Sequence, residues 1–233
     1  MTYSTSLLVM LTMAATMQSQ SETRTWPIEL VAHRGESFDA PENTLAAFNL
    51  AWSRNVPAIE LDVHLSKDGV LVVAHDADLK RTTGDPRKIK ESNYEDIKGL
   101  DAGRWKDAKW AGERLPTLDE ALATIPDGAR CFIEVKVGPE SVPALVEAVR
   151  KSGKKPAQMP IISFNADTVA EAKRKLPDHK VYYLASFKRN EQTGEYSPSL
   201  DELIAKAKAL KADGLDLSYN GPIDKAYVDR AKA

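Results

Sequence analysis

The chain has 233 residues, 42% of them hydrophobic and 28% charged, with a formal net charge of −2. Such a composition excludes disordered, collagenous and coiled-coil classes, and a chain of this size reads as one domain. Lys and Arg are mixed among Asp and Glu, so no basic stripe points to nucleic acid and no cationic amphipathic helix points to a membrane surface.

Taken in chain order, the first feature is an uncharged apolar run, SLLVMLTMAAT at 6–16, followed by a polar stretch at 18–24. Its length suits a signal-peptide core and falls short of the ~20 residues that span a bilayer. A leader over 1–25 and a periplasmic or secreted location, with the cytoplasm as the alternative, are therefore expected. Cys131 is the single cysteine, which excludes a disulfide framework; it lies in an apolar strand and reads as a buried inert thiol.

Beyond the leader, strand-like runs are predicted at 29–32, 58–63, 70–74, 130–135, 160–163, 180–185 and 214–217. Most are continuously apolar, the pattern of strands buried on both faces of a parallel sheet. Helices alternate with them. Leu45, Phe48 and Trp52 share a face of one beginning near Asn43, just after Pro41. Thr117 with Glu120, and Ser199 with Glu202, fit capping boxes, and Ser141 is a cap candidate for a helix carrying Val142, Leu145, Val146 and Val149, stopped by Gly153. Alternation of this kind predicts parallel strands joined by helical crossovers. The segment 76–128 is too long for a crossover and reads as an insertion folded over one face of the sheet.

In parallel α/β folds the active site gathers at the carboxyl ends of the strands. The first strand ends in His33-Arg34-Gly35, the third in His75-Asp76. The second carries Glu60 and Asp62, and the fourth ends in Glu134 and Lys136, each pair at the i, i+2 spacing that shares one strand face. Carboxylates inside an apolar strand repel unless a cation compensates, and oxygen-only donors select a hard ion such as Mg²⁺ or Ca²⁺. Two histidines on neighbouring strands beside them, His33 and His75, read as catalytic. His64 shares the Glu60/Asp62 face but lies where the strand is ending, and is left outside the ligand set. His179 reads as a solvated loop residue, and Trp105 and Trp110 as packing a small core of the insertion.

The stretches AHRGESFDAPENTLAAF, AIELDVHLSKDGVLVVAHD, RTTG, LDAGRW, RLPTLDEAL and FIEVK resemble, in that order, the glycerophosphodiester phosphodiesterase family, closely over 31–164 and more weakly to 217. The resemblance implies a (β/α)8 TIM-type barrel with an insertion after strand 3. It implies metal ligands at Glu60, Asp62 and Glu134, acid/base histidines at His33 and His75, phosphate contacts from Arg34 and Lys136, and an acidic supporting residue at Glu42. The activity implied is Ca²⁺- or Mg²⁺-dependent hydrolysis of a small glycerophosphodiester to glycerol 3-phosphate and an alcohol, the neighbouring glycerol hydroxyl attacking first to form a cyclic phosphate. No nucleic acid partner and no stable membrane insertion are expected. Alternatives are a phospholipase C- or D-type enzyme on intact lipids, disfavoured by the charged insertion, and a non-catalytic secreted phosphodiester-binding protein.

One mismatch stands out. Seven strands are counted over 26–233 where closure of the barrel needs eight, and the chain stops in the seventh helix. An unpaired edge is an aggregation liability, so low stability is expected, rescued by roughly 30 further residues carrying one more strand.

Overall fold

The computed structural model describes residues 29–232; the predicted leader lies outside the described residues. Six strands form one parallel sheet: β1 (Val31–Ala32), β2 (Ala58–Leu65), β4 (Arg130–Val135), β5 (Ile161–Ser163), β6 (Val181–Ala185) and β9 (Gly214–Leu217), adjacent in that order. The crossovers carry α1 (Leu45–Ser53), α4 (Leu118–Ala123), α5 (Val142–Lys151), α6 (Ala166–Lys175) and α7 (Leu200–Leu210), and α8 (Lys225–Lys232) follows β9. The architecture is the expected α/β one, an incomplete barrel whose curled sheet is bordered by β1 and β9.

All seven predicted strands are present, but β3 (Leu71–Val73) runs antiparallel to β2, with Val63 opposite Val73. It is the return arm of a hairpin, because the turn at Ser66–Gly69 is too short for the crossover that a parallel strand requires. The described sheet thus has six parallel strands rather than seven, and β3 belongs with the insertion. A further antiparallel pair, β7 (Lys188–Arg189) and β8 (Tyr196–Ser197), has no hydrophobic pattern from which to predict it.

Alternation along the strands sorts the side chains. Ile59, Leu61 and Val63 of β2 join Cys131, Ile133 and Val135 of β4 in one core with Phe48, Leu122, Leu145 and Val169 from the helices. Each such fully buried aliphatic or aromatic side chain contributes roughly 1.5–3 kcal/mol by leaving water. Residues of the opposite parity, Glu60, Asp62, Phe132 and Glu134, are therefore turned to the inner face of the curled sheet. Both predicted capping boxes are formed. The helix expected near Asn43 is α1, capped by Thr44, whereas Ser141 ends a 3-10 turn that leads into α5, its hydroxyl donating to the Gly138 carbonyl instead of capping.

The insertion holds α2 (Lys80–Thr83) and α3 (Tyr94–Ile97) around a small core that includes Val72, Leu79, Ile89, Ile97 and Leu115. It leans on the β1–α1 loop at the carboxyl rim: Lys106 Nζ donates to the Ser37 carbonyl (2.8 Å) and Trp110 Nε1 to the Asp39 carbonyl (3.1 Å). Trp105 is 40% exposed, so the two tryptophans cover the rim and do not fill the insertion's core as expected. No helix among the described residues is long and apolar enough to cross a membrane.

Gly35 closes the turn after β1. Its φ is +76°, and a Cβ there would lie 2.8 Å from the Ala47 carbonyl carbon and 2.9 Å from the Phe48 ring. Left-handed backbone costs a residue with a side chain about 1–2 kcal/mol before any overlap is counted. Gly35→Ala is therefore expected to cost about 2 kcal/mol or more, a drop in Tm of roughly 4–8 °C for a domain of this size. Thermal unfolding measures it, and an unchanged Tm would contradict the strain at this turn.

Candidate active site

Register brings the acidic residues together. Asp62 on β2 stands opposite Glu134 on β4, and Glu60 lies one inward position earlier on β2. A donor oxygen from each of Glu60, Asp62 and Glu134 lies within 4.8 Å of the other two, and all three residues are buried. Lys136 Nζ pairs with Glu134 Oε1 at 2.8 Å and stands 3.3 Å from Asp62 Oδ1. Arg34 Nε stands 3.5 Å from Asp62 Oδ2. Burial, then the charge of Asp62, pushes the Glu60 carboxyl well above the ordinary value, and burial raises that of Glu134. Glu60 Oε1 and Asp62 Oδ1 are buried with no hydrogen-bond partner. Carboxyl oxygens this close together, offset only in part by the Lys136 and Arg34 cations, are costly alone and well suited to a shared hard cation, so the residues fit a divalent metal.

The first histidine follows β1. His33 Nε2 lies 3.8 Å from Glu60 Oε2, with the imidazole 68% exposed at the mouth of the site. Burial, then the neighbouring Arg34 cation, lowers its pKa, which favours the neutral form. Arg34 adopts φ +59°, and this left-handed turn aims its backbone N–H at Glu60 Oε2 (3.0 Å) while its Nη1 donates to Glu42 Oε1 (3.0 Å).

His75 arrives from the other side, two residues past the hairpin arm β3. Its Nδ1 lies 2.7 Å from Asp76 Oδ1, so Nδ1–H donates to the carboxylate and Nε2 is left free for chemistry. Arg81 Nε donates to Asp76 Oδ2 (2.7 Å), while its two terminal nitrogens grip both oxygens of Glu42 at 2.8 and 2.7 Å. The hydrogen bond from Arg81 holds the Asp76 carboxyl down at about 2, so Asp76 is an anion at any working pH.

Every site residue expected from the sequence is thus found in one continuous network at the carboxyl rim: His33, Arg34, Glu42, Glu60, Asp62, His75, Glu134 and Lys136. His64, left outside the ligand set, is also outside the acidic cluster; its Nε2–H donates to the His75 carbonyl at 3.0 Å. His179 corrects the expectation. It is buried rather than solvated, and neither ring nitrogen has a hydrogen-bond partner.

Three residues escaped the sequence reading. Asp76 and Arg81 were visible in the HD and RTTG stretches, but nothing local announces that Arg81 meets Glu42, 39 positions away. Asn43 is the third: its Nδ2 donates to Asp62 Oδ2 (2.8 Å) and its Oδ1 accepts from the Asp62 N–H (3.2 Å), with φ at +57°. Asparagine tolerates left-handed backbone and carries both a donor and an acceptor, which is the signal that could have found it. Asn43→Gly keeps the backbone accessible and deletes both contacts; leaving two buried groups of Asp62 unsatisfied should cost about 1–3 kcal/mol each in stability, read by denaturant unfolding. A midpoint unchanged from wild type would remove Asn43 from the site's support.

Over residues 33–233 the chain matches the glycerophosphoryl diester phosphodiesterase family. It is 41% identical over 156 residues to a glycerophosphodiester phosphodiesterase of Caldanaerobacter subterraneus subsp. tengcongensis, a stretch covering 65% of this chain and 64% of that protein. The chain spans about half of two Bacillus subtilis relatives, 46% and 56% of their lengths. Its structure is similar to that of an Oleispira antarctica phosphodiesterase solved with the product sn-glycerol-3-phosphate, with a TM-score of 0.77 at 30% identity, covering 88% of this chain and 80% of that one.

Proposed function

Because the chain belongs to the glycerophosphoryl diester phosphodiesterase family, we propose that it hydrolyses glycerophosphodiesters to sn-glycerol 3-phosphate and an alcohol. The observation that carries this reading is the convergence of the His33 imidazole, one guanidinium and one ammonium on a buried triad of carboxylates, with the His75 imidazole joined to the same rim through Asp76, Arg81 and Glu42. Glu60, Asp62 and Glu134 would hold the divalent ion, Ca²⁺ or Mg²⁺. When bound, that ion supplies charge neutralisation for the phosphoryl oxygens. Lys136 offers a point charge to the phosphate, and Arg34 offers the guanidinium donors not taken by Glu42.

The proton balance closes on the two histidines. One imidazole takes the proton of the attacking glycerol hydroxyl as the O–P bond forms, and the other, as imidazolium, gives a proton to the leaving alkoxide as its bond to phosphorus breaks. Water then opens the cyclic phosphate with the two roles reversed, which restores both protonation states and releases glycerol 3-phosphate. Each transfer contributes on the order of 10²–10⁴-fold. The neutral His33 favoured by its lowered pKa, and the free Nε2 of His75, are both compatible with the accepting role. A turnover assay with glycerophosphocholine and a divalent salt, run beside calorimetric binding, tests the reading. Choline release supports it, whereas binding without turnover would leave a phosphodiester-binding protein.

A second reading has one observation in its favour. Phe38, 86% exposed, stands on the β1–α1 loop, and Phe164, 50% exposed, follows β5 on the same rim. Exposed aromatics around the site are what an enzyme working on intact lipids presents. Turnover of lysophosphatidylcholine micelles faster than glycerophosphocholine would favour it.

A further inference from the structure

The two halves of the site come from different parts of the chain. His33, Arg34 and Glu42 belong to the β1–α1 loop, whereas His75, Asp76 and Arg81 belong to the hairpin and insertion. Two short helices and a small core anchor the insertion. The His75 backbone is fixed on β2 by the Ala74 N–H to the Asp62 carbonyl and by His64 Nε2 to the His75 carbonyl, so what depends on side-chain contacts crossing between the two halves is the orientation of its ring.

Arg81 makes that crossing. One nitrogen, Nε, donates to Asp76 Oδ2, and two others hold both oxygens of Glu42, whose Oε1 also receives Arg34 Nη1. Asp76 in turn receives the Nδ1–H of His75. The guanidinium lies 5.8 Å from the centroid of the Trp105 ring. A planar fork with five N–H donors can satisfy two carboxylates at once, which an ammonium cannot do with the same directionality. Half-exposed ion pairs add little to global stability, so the retained value of this arrangement lies in orientation.

We propose that Arg81 is a positioning residue that locks the Asp76–His75 pair of the insertion to the Glu42–Arg34 pair of the barrel, setting the ring orientation of His75 relative to the phosphate-binding side. The proposal rests on the reading of His75 as a proton carrier. Arg81 need touch neither substrate nor metal: it fixes Asp76, Asp76 fixes the His75 tautomer, and Glu42 ties both to Arg34.

The test is a set of variants assayed with glycerophosphocholine and Mg²⁺ or Ca²⁺. Arg81→Ala should lower kcat roughly 10- to 100-fold, the usual scale for losing an outer contact that orients a reacting group, with KM changed less than threefold. Millimolar guanidinium ion should restore part of that loss, and Arg81→Lys should not. In a His75→Ala background, Arg81→Ala should lower kcat by no more than about twofold further, because residues that act through one another are not additive. Should Arg81→Ala fail to fold, Asp76→Asn decides the point: kcat should fall similarly, and the His75 Nδ1–H resonance in the proton NMR spectrum should shift or vanish. An active His75→Ala would overturn the reading of His75 itself. An inactive His75→Ala beside an Arg81→Ala or Asp76→Asn enzyme with wild-type kcat would overturn the role of Arg81 alone.

Discussion

Chelation of divalent cations abolishes turnover in the expected result, and Mg²⁺ or Ca²⁺ restores it. The physical ground is the triad of Glu60, Asp62 and Glu134, three buried carboxyl groups with Lys136 and Arg34 beside them and Glu60 Oε1 left without a partner. Asp62→Asn removes the charge of the most buried ligand, which is 0% exposed, while the amide still fits the space. Its metal affinity should fall roughly 100-fold or more, about 3 kcal/mol at 1.4 kcal/mol per decade. The linkage with pH has a definite sign. Glu60 and Glu134 have raised values, so without a cation their stabilising contribution is complete below the ordinary carboxylate range and is lost as the pH rises. Metal binding must displace those protons, so affinity and the metal-induced rise in Tm both grow with pH. Calorimetric titration and thermal unfolding at two pH values measure both effects. Full activity in excess EDTA would sink the metal reading.

Replacing either histidine should cost at least about a hundredfold in kcat, with the fold retained. His33 is largely exposed and makes only a 3.8 Å approach to Glu60, so His33→Ala removes a reactive group and little packing. His75 is part of a hydrogen-bonded chain, and His75→Ala leaves Asp76 still held by Arg81, which protects the local structure. The double variant should lose less than the product of the single losses, because in the proposed mechanism both groups serve one proton-transfer sequence. Steady-state kinetics with circular dichroism as a fold control reads this out. A near-normal kcat in a single variant, with KM alone altered, would move that histidine to a binding role.

How far the chain could be read in advance follows from the range of the interactions concerned. The seven apolar runs, both capping boxes and the i, i+2 pairs Glu60/Asp62 and Glu134/Lys136 are local, and alternation along a strand is enough to place those pairs on one face. The resemblance supplied Glu42 and the phosphate-binding roles of Arg34 and Lys136, and the structure brings all three residues to the same rim. What could not be read is long-range. The direction of β3 depends on whether the turn after β2 closes within a few residues, and its apolar run Leu71–Val73 looks the same for either direction. His179 is surrounded in sequence by Asp178 and Lys180, yet burial is decided by what packs over it. Arg81 finds Glu42 across 39 positions, and Asn43 finds Asp62 through a left-handed backbone that no neighbour in the sequence demands. Periodicity and capping are written within one or two turns of the chain. Partners, burial and strand direction are settled only when distant segments compete for the same space, which is a property of the tertiary fold.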